Sequence, residues 1–150
     1  MRIFMLVVFG VALITAGGCS KSPPPIVPVE GRILLNGKPL AKAEVRFNPA
    51  LDYVDGSYTA IGETDDDGRF KLICRGQDGA CACAHNITVG EAPLPGDMRG
   101  LSAAAQARAA SYMNALKNRP IPQQYATLAQ SPLKITVSAD QKEYLIELTR

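Results

Sequence analysis

From Val29 to Leu148 apolar and polar residues repeatedly alternate between short turn-forming clusters, a period that suits extended strands with one dry and one wet face. Val29, Gly31, Ile33 and Leu35 share one face and Glu30, Arg32 and Leu34 the other. Asn36-Gly37 then supplies the positive φ angles of a tight turn. Val45 and Phe47 alternate with Glu44 and Arg46 until Pro49 ends the run. Tyr58 to Thr64 and the alternating Phe70, Leu72 and Cys74 flank Asp65-Asp66-Asp67-Gly68, and a hairpin is expected across that turn. Ala84 to Gly90, Leu133 to Val137 and Tyr144 to Leu148 bring the count to about seven strands. Short strands joined by Gly, Asn and Asp turns predict an all-β chain, an antiparallel β-sandwich of two layers, and argue against a parallel α/β sheet.

One segment departs from this period. Leu101, Ala105, Ala109, Tyr112, Met113 and Leu116 recur at helical spacing in an Ala-rich stretch, with Ser102 placed to cap it and Pro120 to stop it. A helix is therefore inserted near 101–118, with Tyr112, Met113 and Leu116 expected to face the sheet. An amphipathic helix leaning on a membrane or partner is the alternative, for which Arg108, Lys117 and Arg119 are the available basic residues.

The first residues set the expected compartment. Arg2 precedes the apolar run Ile3 to Ala16, which contains no acid, and Gly17-Gly18-Cys19 closes it with small residues. That run is short of the ~20 residues needed to span a bilayer, and the Pro-rich segment behind it cannot extend it as a helix. Residues 1–18 read as a signal peptide. Cys19 stands where the bacterial lipobox carries the cysteine that receives a diacylglycerol, so the expected product is anchored to a membrane through an N-terminal lipid. Cleavage without lipidation is the competing outcome. Residues 19–28, with Ser22-Pro23-Pro24-Pro25-Ile26-Val27-Pro28, form a semi-rigid polyproline tether, and 29–150 form the folded domain. The sequence holds 16 basic and 14 acidic residues, and only Arg2 among them falls in the leader, so the mature chain is near neutral. The charges are scattered, which disfavours nucleic acid as a partner.

Several short motifs occur in a fixed order: Val29-Glu30-Gly31, Leu35-Asn36-Gly37-Lys38-Pro39-Leu40, Ala43-Glu44-Val45-Arg46-Phe47, Thr64 to Phe70, Ile121-Pro122-Gln123-Gln124-Tyr125 and Ser131-Pro132-Leu133. Together they resemble bacterial lipoproteins carrying a carboxypeptidase regulatory-like, transthyretin-like β-sandwich. The resemblance implies an Ig-like, non-catalytic module in the periplasm or at the cell surface, with no small-molecule substrate and no catalytic residues to transfer. The Asp78-Gly79-Ala80-Cys81-Ala82-Cys83 loop departs from the Gly- and Pro-containing turn of that family.

The chemistry-bearing residues gather around this loop. With Cys19 acylated, Cys74, Cys81 and Cys83 are an odd set of thiols in an oxidising compartment, so one is left over or bridges to another chain. A disulfide from Cys74 to Cys81 or Cys83 would add ~2–3 kcal/mol by chain-entropy reasoning. On an extended strand Cys81, Cys83 and His85 would share one face, and with Cys74 opposite they offer a thiol/His metal or redox site as the alternative function. Without a metal, His85 is expected to be partly exposed at a strand start. Asp65 to Gly68 lacks the glutamate of a calcium loop at the twelfth position, where Gly76 stands, and reads as a turn. No Gly-x-Ser-x-Gly or paired-carboxylate site is visible, so no enzyme and no cofactor are expected, and the Asn86-Ile87-Thr88 sequon lies within a strand. The leading expectation is a structural or protein-interaction module for an envelope or extracellular protein. An accessory domain that positions a separate hydrolase is a further alternative.

Overall fold

The computed structural model describes residues 21–150, so the expected signal peptide and Cys19 lie outside the described residues. The chain runs β1 (Ile26–Val27), β2 (Glu30–Leu35), β3 (Lys38–Pro39), β4 (Ala43–Pro49), β5 (Ala60–Glu63), β6 (Arg69–Lys71), β7 (Ile73–Cys74), β8 (Gln77–Asp78), β9 (Ala80–Cys81), β10 (Ala84–Glu91), α1 (Ala103–Ala115), β11 (Lys134–Thr136) and β12 (Glu143–Leu148). The architecture is mostly β with antiparallel sheets and one helix. A six-stranded sheet has the order β11-β10-β4-β5-β7-β8, and a four-stranded one has β12, β2 and β3 in a row with β6 also paired to β2. A short third sheet joins β1 to β9.

The alternation does what its period demands. Val29, Ile33 and Leu35 from one sheet and Val45, Phe47, Ile87 and Val89 from the other are buried in a single core, to which Ile146 and Leu148 also belong. Each such side chain contributes about 1.5–3 kcal/mol on burial. Asn36 and Gly37 take φ of 51° and 76°, as the β2–β3 turn requires, and Arg75-Gly76 repeats that geometry between β7 and β8.

Several expectations are corrected. The strand segments number twelve, because two- and three-residue pairings fill loops where no alternation can register. The hairpin across Asp65–Gly68 forms only in part. The turn closes through Gly68 N–H to Asp65 O (3.0 Å) and Asp65 N–H to Arg69 O (2.9 Å), but β6 then pairs β2 through Phe70 and Gly31, and β5 meets the returning chain at Ile61 and Ile73. The turn is thus a corner between sheets, and it delivers Phe70 to the core with its ring 6.2 Å from that of Phe47. Nor is the pairing antiparallel throughout: β2 and β12 run parallel from Glu30 opposite Glu143 to Leu35 opposite Leu148. Such a pair needs a long crossover, and the entire six-stranded sheet and helix lie between the two strands in sequence.

The helix forms where expected, with Ser102 Oγ accepting from Ala105 N–H (3.2 Å), yet it does not pack on the sheet through Tyr112, Met113 and Leu116. Those three are half-buried and only Ala105 is fully buried. The helix rests chiefly on the turn at Gly96–Met98, where Arg108 lies 3.8 Å from Asp97. An Ala-rich helix offers too little apolar area to claim a place in the core. No helix among the described residues is long and apolar enough to cross a membrane. Arg119, read as a cation available to lipid, is instead tied to Glu91 (2.8 Å) and to the carbonyl oxygens of Ala41 (2.6 Å) and Lys42 (3.2 Å).

Candidate functional site

The loop between β9 and β10 governs where the thiols go. Cys83 N–H donates to the Cys81 carbonyl at 2.8 Å, a three-residue turn that breaks the extended backbone on which Cys81, Cys83 and His85 would have shared a face. The same carbonyl lies 2.8 Å from His85 Nε2. A carbonyl can only accept, so Nε2 carries the proton, while Nδ1 is buried without a hydrogen-bond partner. His85 is 1% exposed, not the partly exposed side chain expected, and its ring stands 5.6 Å from that of Phe47. Burial pushes its pKa below the ordinary imidazole value, against the opposing pull of the Cys81 and Phe47 carbonyls.

All three described cysteines are free thiols in the structure. Cys74 and Cys81 are fully buried, and Cys74 Sγ donates to the Tyr58 carbonyl at 3.3 Å. Cys83 is half-buried with Sγ 3.5 Å from His85 Nε2. Burial, with the neighbouring Cys81, pushes the thiols of Cys74 and Cys83 up to about 11, and burial raises Cys81 as well. Such thiols are protonated at neutral pH and are poor nucleophiles. Among the described residues no three His, Cys, Asp or Glu side chains converge as metal ligands, so Cys74, Cys81, Cys83 and His85 do not make the four-ligand set. Asp65 is likewise committed, its Oδ1 accepting the N–H groups of Asp67 and Arg69 at 2.9 Å each, as a turn residue does.

The described residues also form a concave surface elsewhere. A cleft of about 810 Å³ opens on the four-stranded sheet between β2, β6 and β12. Glycine is required beneath it, since a Cβ on Gly31 would lie 2.2 Å from the Tyr144 carbonyl oxygen and 2.7 Å from the Phe70 ring. Its rim carries both charges. Glu30 is held by Lys142 (3.0 Å) and Lys71 (3.9 Å), and the hydrogen bond from Lys142 is the main reason its carboxyl titrates below the usual value. Arg32 Nε donates to the Asp67 carbonyl at 2.8 Å.

Beside the cleft β12 is the outermost strand of its sheet, paired among the described residues to β2 alone. Two bonds at the limits of that ladder, Glu30 N–H to Lys142 O (3.0 Å) and Asn36 N–H to Leu148 O (2.8 Å), show that the even-numbered residues of β12 bond inward. The N–H and C=O groups of Glu143, Leu145 and Glu147 therefore point outward. The Glu143 carbonyl is taken by the Gln141 side-chain amide at 3.0 Å, which leaves those of Leu145 and Glu147 open to an added strand. Sequence reasoning missed this edge because alternation announces a strand without announcing its neighbours. The available signal was the pattern Glu143-x-Leu145-x-Glu147, an apolar residue on a wet face. Comparison of the chain with protein-family models, curated proteins and solved structures found no match.

Proposed function

We propose that this chain is an extracytoplasmic, non-catalytic β-sandwich of the Ig-like, transthyretin-like kind, anchored to a membrane by a lipid on Cys19 and acting as a structural or protein-interaction module of the cell envelope. What carries the reading is the open backbone edge of β12 beside a charged cleft, a surface suited to binding a protein segment and holding no nucleophile with its base. The resemblance to lipoproteins with a carboxypeptidase regulatory-like domain, and the apolar leader ending at Cys19, support the location. Cys74 and Cys81 are the pair that an oxidising compartment would join, supported by the packing of β7 against β9 and the burial of both residues, and Cys83 is then the thiol left over. The partner is an envelope or extracellular protein, not nucleic acid.

Intact mass spectrometry of membrane-extracted protein, with and without reduction, tests location and pairing together. The expected mass lacks residues 1–18, carries a diacylglycerol on Cys19, and rises by two hydrogens on reduction. A full-length cytosolic product with every thiol reduced overturns the reading.

A further inference from the structure

The outward row of β12 reads Glu143, Leu145, Glu147, all three exposed, with Leu145 58% exposed. Being two residues apart, they lie on one face at ~6.6–6.8 Å intervals. Neither glutamate belongs to an ion pair among the described residues, whereas Glu30, across the ladder from Glu143, is already neutralised by Lys142 and Lys71. The edge thus combines open backbone groups with an acidic, apolar, acidic stripe.

We propose that this edge takes up, as an added strand, an extended peptide in which an apolar residue is flanked at two-residue spacing by lysine or arginine. The proposal rests on the reading of the chain as an interaction module and names the partner's chemistry. In an added strand the directly opposed side chains lie ~4.5–5.5 Å apart, so the basic residues meet Glu143 and Glu147 while the apolar residue covers Leu145. The stripe reads alike in both directions, so the match holds for parallel and antiparallel entry. It also selects against a second copy of this chain: antiparallel pairing about Leu145 would set Glu143 against Glu147 of the other copy, two like charges directly opposed. Opposite charge on the partner turns that penalty into recognition.

The probe is a nine-residue peptide alternating lysine with threonine and carrying valine at its centre, titrated into the isotope-labelled full chain in detergent, beside a counterpart with glutamate in place of lysine. The expected result is amide shift changes centred on Leu145 and Glu147, with the lysine peptide bound roughly tenfold more tightly than the glutamate one. The double variant Glu143→Lys, Glu147→Lys should reverse that preference. Leu145→Pro removes one outward N–H while leaving the inward ladder to β2, so it should abolish binding in a chain that still folds. Equal binding of both peptides, no binding, unchanged preference in the reversed variant, or shifts confined to the cleft or to β8 and β11 would each overturn the proposal. An envelope protein that co-purifies equally with wild type and with Leu145→Pro would sink the edge and leave the module reading standing.

Discussion

His85 shows how much one side chain can depend on a single backbone oxygen. Its ring is sealed in the core with one nitrogen donating to Cys81 and the other without a hydrogen-bond partner, so protonation would bury a charge at a desolvation cost that the Cys81 and Phe47 carbonyls offset only in part. The folded state consequently holds its proton more weakly than the unfolded chain, for which the ordinary value is 6.5. The stability this difference supplies is present above that value and is lost as pH falls through it. Melting temperatures measured from about pH 7.5 to pH 5 should fall more steeply for wild type than for His85→Gln, which cannot titrate; parallel curves would count against the buried neutral imidazole. The thiols call for a second test. With their pKa values raised, Cys74, Cys81 and Cys83 of the reduced native protein should react with iodoacetamide at neutral pH far more slowly than after denaturation, and half-buried Cys83 should lead, as peptide mapping would show. The sequence places Cys81, Cys83 and His85 near one another, but their spacing cannot reveal the three-residue turn at Cys81, which leaves Cys83 Sγ beside His85 Nε2 and Cys81 buried.

At the scale of elements, legibility follows length. β2, β4, β10 and β12 each carry at least six residues, enough alternations to declare both strand and face, and α1 declares itself through Ser102 and its spacing. β1, β3, β7, β8 and β9 hold two residues each, and their pairing is decided by what the chain meets in space. The clearest example is β1, within the segment read as tether, where Ile26 pairs with Cys81, Val27 with Ala80, and the Pro25 carbonyl accepts from Ala82 N–H at 2.9 Å. Gly79 makes this docking possible: at φ 123° it leaves the Val27 carbonyl a path that a Cβ would block at 1.8 Å. Gly79→Ala should cost about 1–3 kcal/mol and release β1, detected as faster proteolytic cleavage between Lys21 and Glu30. The return from the helix has its own fastening, since the Asn118 side-chain amide donates to the carbonyls of Leu35 (3.1 Å), Lys38 (3.2 Å) and Pro39 (3.4 Å). Asn118→Ala should lower stability by about 1–3 kcal/mol in urea titrations.

For the whole molecule, one core serves both sheets, and the alternation between turns already pointed to a β-rich domain. What the sequence could not disclose is that the four-stranded sheet is completed by a parallel strand, because pairing direction depends on the route between strands and each strand reads alike either way. Nor could it disclose that β6 leaves its expected hairpin for β2, a choice made at a corner where both sheets are within reach. Time adds a further requirement to this arrangement. Glu30 and Glu143, neighbours in the finished sheet, are separated by over a hundred positions, so a chain emerging from a ribosome or a translocation pore exposes β2 long before its mate exists. Until β12 emerges, that strand keeps a bare flank toward every other newly made polypeptide.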